Sequence, residues 1–322
     1  MKQRKVLLLS LVLMSLVFSG CAGLKTREDL KGSPPGDKSK LQESSVVSSE
    51  EVAENKTPPP AEPTPVAAQL PKVAVVLGPG GVKAFAHAGV LKELEKARIP
   101  IDAIVGLEWG AMVGALFAQN GKIHEVEWKL YKLQKADLPG KGLFSTRFKA
   151  EPIKVLDEYF QKNIGGASVD NAKLEFACPS LSLWSGTLVW QTRGSLKGVL
   201  SKCMPYPPLF RPSSPWMAAS FALADSVRYL KKKGYKVVIY VNVLGSGELL
   251  QQEELLEEYQ SALLWQEIRR TQKAMQSMAS DVIEVDTKQY KMFDFDNRTG
   301  LVGLGELAGS RHARKIAEKY GF

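Results

Sequence analysis

Two short strands that break at glycine straight into helices constrain this chain more than anything else in it. They are "KVAVVLGPGGVKAFAHAGVL", from Lys72, and "IDAIVGLEWGAMVGAL", from Ile101. Each opens with a brief β-branched run that has no polar face, which is the pattern of a strand buried on both sides. In the first helix Phe85, Ala88, Val90, Leu91 and Leu94 recur at helical spacing. Repeated buried strand and helix imply an α/β domain in three layers, with a largely parallel central sheet. The first turn also carries chemistry. Gly80 and Gly81 can present consecutive backbone N–H groups at a helix start, a place for a phosphate or an oxyanion. A tight strand-to-helix connection would favour glycine as well. No Gly-Lys-Ser/Thr follows, so this is no P-loop, and Gly78, Gly80 and Gly81 lack the third spacing of a dinucleotide fingerprint.

The same alternation continues down the chain. "WGAMVGALFAQNG" is a helix closed by Asn120-Gly121. "HEVEWKLYKLQKADL" and "EPIKVLDEYFQKNI" are amphipathic helices, and "KLEFACPSLSLWSGTLVWQTRG" is two strands around a Ser185-Gly186 turn. "SVRYLKKKG" is a helix, "YKVVIYVNVLG" a buried strand, and 248–280 one long helix. "DVIEVDT" and "GELAGSRHARKIAEKYG" are the last strand and helix. The α/β domain is therefore expected over 72–322.

The residues before it have a different composition. Lys2, Arg4 and Lys5 precede an apolar run from Val6 to Phe18, then Ser19, Gly20 and Cys21. That run is too short to span a bilayer and suits a signal peptide over 1–20. "FSGC" resembles a bacterial lipobox, which implies lipidation of Cys21 and a membrane partner through it; an ordinary secretory signal with an incidental Cys21 is the alternative. Ala22, where enteric lipoproteins retained at the inner membrane carry Asp, points to the outer membrane, facing the periplasm. Residues 21–71 are rich in Ser, Pro, Glu and Lys with no apolar period, so they are expected to be a disordered tether.

Charge excludes one class of function. The formal net charge is +9, and removing the three N-terminal cations lowers Lys+Arg from 43 to 40 against 34 acids, or +6. No basic stripe with interleaved aromatics accompanies it, so no nucleic acid is expected as a partner. Cys178 and Cys203 lie in apolar surroundings. These favour two buried free thiols over the disulfide that an oxidising compartment would permit. No metal-ligand spacing occurs, and no cofactor is implied.

The second turn has the outline of a nucleophile elbow: Gly106, Leu107, Glu108, Trp109, Gly110. Together the two turns resemble the patatin-like phospholipase family. The glycine loop corresponds to Pro79, Gly80, Gly81, Val82, Lys83 and Ala84, followed by "FAHAGVL" with His87. "CMPYPPLFRP" and "KKGYKVVIYVNV" resemble the segments flanking that family's catalytic Asp. The resemblance implies a patatin-like α/β fold and a lipid acyl hydrolase working through a Ser–Asp dyad. This chain departs from it at both places. Glu108 stands where the serine belongs, and the Asp position falls at about Ala218. The oxyanion loop is also altered, because Pro79 has no N–H to donate.

A carboxylate nucleophile at a carboxylic ester would form an anhydride, which is uphill. An elbow side chain instead points at the N–H groups of the glycine loop. Glu108 is expected to accept those hydrogen bonds as an oxyanion would, perched at the helix start, with Lys83 as a candidate ion-pair partner and Trp109 filling the acyl space. The bland alternative is a solvated loop acid. His87 is expected in the core, and His124 and His312 at the surface. Lys231–Lys233 is a solvated helix end or a headgroup contact, and "FDFDNRTG" a turn rather than a calcium loop. Ser220 has nothing local to activate it, and Asp225 is the nearest acid to the lost Asp position. The favoured function is a non-hydrolytic member of that family that binds lipid or a protein partner. An active serine-type hydrolase with a relocated dyad is the alternative.

Overall fold

The computed structural model describes residues 70–140, 149–245, 259–293 and 295–322. The signal, lipidation and tether expectations for 1–69, and the first part of the long helix over 248–258, lie outside the described residues. One compact unit spans Pro65–Phe322.

Its centre is a seven-stranded sheet of order β4-β3-β2-β1-β6-β7, with β5 paired to β3. The strands are β1 (Val73–Leu77), β2 (Ile101–Gly106), β3 (Glu175–Ser182), β4 (Leu188–Gln191), β5 (Trp216–Ala218), β6 (Val237–Asn242) and β7 (Asp281–Glu284). β1 runs parallel to β2 and β6, β2 to β3, and β6 to β7, whereas β4 and β5 are antiparallel to β3. The three-layer, largely parallel architecture is therefore as the alternation implies. The uniform apolarity of β1 has a direct cause: Val73, Val75 and Leu77 face one helical layer while Ala74 and Val76 face the other.

The first layer contains α1 (Ala86–Lys96), α2 (Trp109–Asn120) and a C-terminal helix α8 (Arg298–Tyr320); α3 (Ile123–Tyr131) packs beside α1 and α2. Between come α4 (Asp157–Asn163) and α5 (Leu196–Cys203). The second layer is α6 (Leu223–Lys232) and α7 (Tyr259–Met278). α8 begins seven residues earlier than the pattern from Gly305 implies, because "FDFDNRTG" closes into a single 3-10 turn, Phe295–Asn297, that leads directly into it. Two interior contacts escape sequence reading altogether. A Cβ on Gly305 would lie 1.9 Å from the Ala86 carbonyl oxygen, and one on Gly89 2.1 Å from that of Val302, so α1 and α8 cross at backbone contact.

The expectation of two free thiols is overturned. Cys178 on β3 and Cys203 at the end of α5 form a disulfide with Cα atoms 6.1 Å apart. Both residues are fully buried, as their apolar neighbours imply, but α5 packs on β3 and brings the thiols to bonding distance. Among the described residues no helix is long and apolar enough to cross a membrane.

Candidate functional site

The two glycine turns meet at the carboxyl ends of β1 and β2, which pair side by side up to Leu77 and Gly106. Backbone geometry explains the elbow glycines. A Cβ on Gly106 would lie 2.4 Å from the Ala111 Cα, and one on Gly110 2.6 Å from the carbonyl oxygens of both Leu77 and Gly78. Gly110 thus presses the second turn against the first, Gly106 lets the second turn close on itself, and only glycine fits at either place. Between them Glu108 adopts φ 54° and ψ −122°, a strained conformation for a residue with a side chain. Its carboxylate is aimed back across the cleft as a result.

There the Glu108 Oε2 accepts hydrogen bonds from the backbone N–H of Gly80 at 2.9 Å and of Gly81 at 3.0 Å. The residue is 3% exposed, which disposes of the solvated loop acid. Burial pushes its carboxyl up from 4.5 to about 7, against the opposing pull of the Gly81, Gly80 and Trp109 amides. Lys83 is buried in the same turn, and the hydrogen bonds that hold the Glu108 carboxylate come from the Gly80 and Gly81 backbone. Val82 is buried beside it and donates its N–H to the Met292 carbonyl oxygen at 2.9 Å.

His87 lies under the glycine turn, fully buried. Its Nε2 is 2.8 Å from the Gly78 carbonyl oxygen, and burial lowers its pKa to about 4. The neutral ring therefore donates from Nε2, and Nδ1 is the lone-pair nitrogen that has no partner. It braces the loop and is unsuited to accept a proton from a nucleophile. His124 is exposed and His312 half-buried.

Aromatic side chains pack beside the elbow: Trp109 stands where the motif implies, and its neighbours come from distant segments. Trp109 is buried against Phe210 and Phe295, with ring centroids 6.2 and 5.5 Å away. Tyr206 packs edge-on to Trp265 at 5.1 Å, and Trp265 meets Phe293 at 6.4 Å. Burial, and next the Glu108 charge, raise the Tyr206 hydroxyl far above its ordinary range. The segment around Met292 lies directly on the glycine turn: a Cβ on Gly81 would come 2.6 Å from the Met292 carbonyl oxygen.

Ala218 sits at the end of β5, fully buried, paired with Ser180 and donating its N–H to the Pro205 carbonyl oxygen at 2.9 Å. The Pro205–Tyr206 segment thus touches the Ala218 strand on one side and senses Glu108 on the other. Ser220 is fully buried and its hydroxyl has no partner. Asp225 faces outward on α6, in an ion pair with Arg228 at 2.7 Å. Among the described residues no group of three or more His, Cys, Asp or Glu is gathered as a metal site would need.

Residues 75–233 match the family model described as patatin-like phospholipase. Among curated proteins, the lysophospholipase NTE1 of Coccidioides immitis is 27% identical over 184 residues, which cover 53% of this chain and 11% of that protein. An uncharacterized NTE family protein of Mycobacterium bovis is 28% identical over 146 residues, 44% of this chain and 39% of that one. The chain therefore spans well under half the length of these relatives. Among solved structures, VipD from Legionella pneumophila superposes with a TM-score of 0.44 at 9% identity, covering 78% of this chain and 67% of that chain. The family-model and sequence matches support the patatin-like phospholipase family.

Proposed function

We propose that this chain is a patatin-like lipoprotein, anchored to the outer membrane through Cys21, whose acyl-hydrolase site is occupied by its own Glu108 and which binds lipid or a protein partner instead of cleaving esters. One observation carries the reading: the Gly80 and Gly81 amides, the donors an ester's developing oxyanion would use, are both engaged by the Glu108 carboxylate. A substrate carbonyl would have to displace a buried side chain from its hydrogen bonds. Glu108 itself is a poor nucleophile for the purpose, because attack on an ester leads to an anhydride. The relocated-dyad reading finds no support at Ser220, which has no hydrogen-bonded base, or at Asp225, which faces outward.

The test is hydrolysis of short-chain nitrophenyl esters and of a phospholipid by the full chain, beside Glu108→Ser/Ala218→Asp. The parent is expected to give no turnover above the uncatalysed rate. Turnover in the double variant would mark these two positions as the family's dyad. Turnover by the parent would overturn the reading.

A further inference from the structure

The β3–β4 hairpin tip presents apolar side chains that the fold does not use. Trp184 is 82% exposed and Leu183 47%, side by side at the turn. Their backbone is nonetheless held firmly. Ser182 donates its N–H to the Thr187 carbonyl oxygen at 2.9 Å, and Gly186, at φ 66°, donates to that of Ser182 at 2.8 Å. Leu183 donates to the Pro215 carbonyl oxygen at 2.8 Å, which ties the tip to the segment entering β5. A rigid turn that exposes an indole and an isobutyl group is costly in water unless something covers them.

Charge points to what covers them. From Phe176 to Ala224 the chain holds no aspartate or glutamate, while it holds Arg193, Lys197, Lys202 and Arg211. Lys202 and Arg211 belong to the tip's surroundings. The Lys202 ammonium sits 5.6 Å from the centroid of the Trp216 ring, and Trp216 pairs with Ser182 at the base of the turn. Arg211 is exposed, just ahead of the Ser213–Trp216 bridge. Glu151, which bridges to this segment at Phe210, is neutralised by Lys149 at 3.6 Å.

Direction points the same way. β3 is parallel to β2 and pairs with it at Val105 and Ala177, then runs on to Ser182 after β2 has turned off at the elbow. Five further residues carry the tip about 16 Å beyond that register. The tip therefore projects from the same end of the sheet as Glu108 and the glycine turn.

We infer that this tip is a membrane-interface contact for an anionic bilayer. Leu183 and Trp184 seat among the headgroups and upper acyl chains, and Lys202 and Arg211 meet the lipid phosphates. The inference does not rest on the blocked-site reading. It holds whether or not the domain hydrolyses esters, and it adds a contact of the folded domain itself to any anchor at the N-terminus.

The test reads tryptophan quenching by lipids brominated near the top of the acyl chain. The full chain is mixed with vesicles of phosphatidylcholine and phosphatidylglycerol in equal parts, beside Trp184→Phe, which leaves an exposed site otherwise unaltered. The parent is expected to be quenched well beyond the Trp184→Phe chain. That excess should require about tenfold more lipid in Lys202→Glu/Arg211→Glu, or on vesicles of phosphatidylcholine alone. Equal quenching of parent and Trp184→Phe would overturn the inference. So would a photo-crosslinker at position 184 that captures protein rather than lipid in whole cells.

Discussion

Glu108 concentrates the properties of this molecule in one carboxyl group. It is strained in its backbone, buried, and held by two amides that a hydrolase would keep for its substrate. Because its folded pKa lies near 7 rather than 4.5, the native state keeps a proton that the unfolded chain releases between those values. Stability from this group is therefore fully present below about 4.5 and is lost as the pH rises through about 7, a change of at most about 3 kcal/mol. Glu108→Gln retains an oxygen for the Gly80 and Gly81 amides and removes the titration. Denaturant unfolding at about pH 5 and about pH 8 should show the parent falling relative to the variant by up to that amount. Parallel pH profiles would mean that Glu108 does not titrate in this range. The direction of Glu108 was readable from sequence, since an elbow between two glycines leaves its central side chain few ways to point. Its hydrogen-bond partners were readable too, but the depth of its burial was not.

At the scale of elements, two junctions decide whether the layers stay together. The α1–α8 crossing depends on Gly89 and Gly305, each with a facing carbonyl oxygen where a Cβ would stand. Gly305→Val must push the helices apart along their whole contact. We expect a loss of about 3 kcal/mol or more, seen as a lower midpoint in denaturant unfolding. A variant as stable as the parent would show that the crossing can relax. The Cys178–Cys203 bond closes a loop with a sequence separation of 25 between β3 and α5. Cys178→Ala/Cys203→Ala should cost about 3 kcal/mol, and a reducing agent should lower the parent's stability while leaving the variant's unchanged. Helix and strand patterns announced these elements. Neither junction was visible in them, because glycine inside a helix and cysteine in an apolar run have several uses that only the neighbour distinguishes.

The whole molecule sets the glycine turn, the elbow and the β3–β4 tip at one end of a parallel sheet, where the strands' carboxyl ends gather. It then covers the glycine turn with a stretch from far along the chain, Met292 and Phe293, on which Trp265 and in turn Tyr206 pack. The proposed blocked cleft and the proposed membrane contact therefore share one pole of the domain. In this arrangement a bilayer met by Trp184 would also face the end of the sheet that carries Glu108, so vesicle binding and any regained esterase activity in Glu108→Ser/Ala218→Asp should be measured on the same protein.

The amino-acid sequence alone determined the alternation of buried strands and helices, and with it the three-layer fold. It also determined the elbow and the carboxylate aimed at the glycine amides. These follow from periodicity and from backbone geometry within a few residues, where the chain has little freedom. Only the tertiary structure decided the strand order, the disulfide, the glycine crossing of α1 and α8, and the Phe210 and Phe295 rings that pack on Trp109. Each of those joins segments far apart in sequence, and the contact energy that selects them exists only after the sheet has brought both partners to one place.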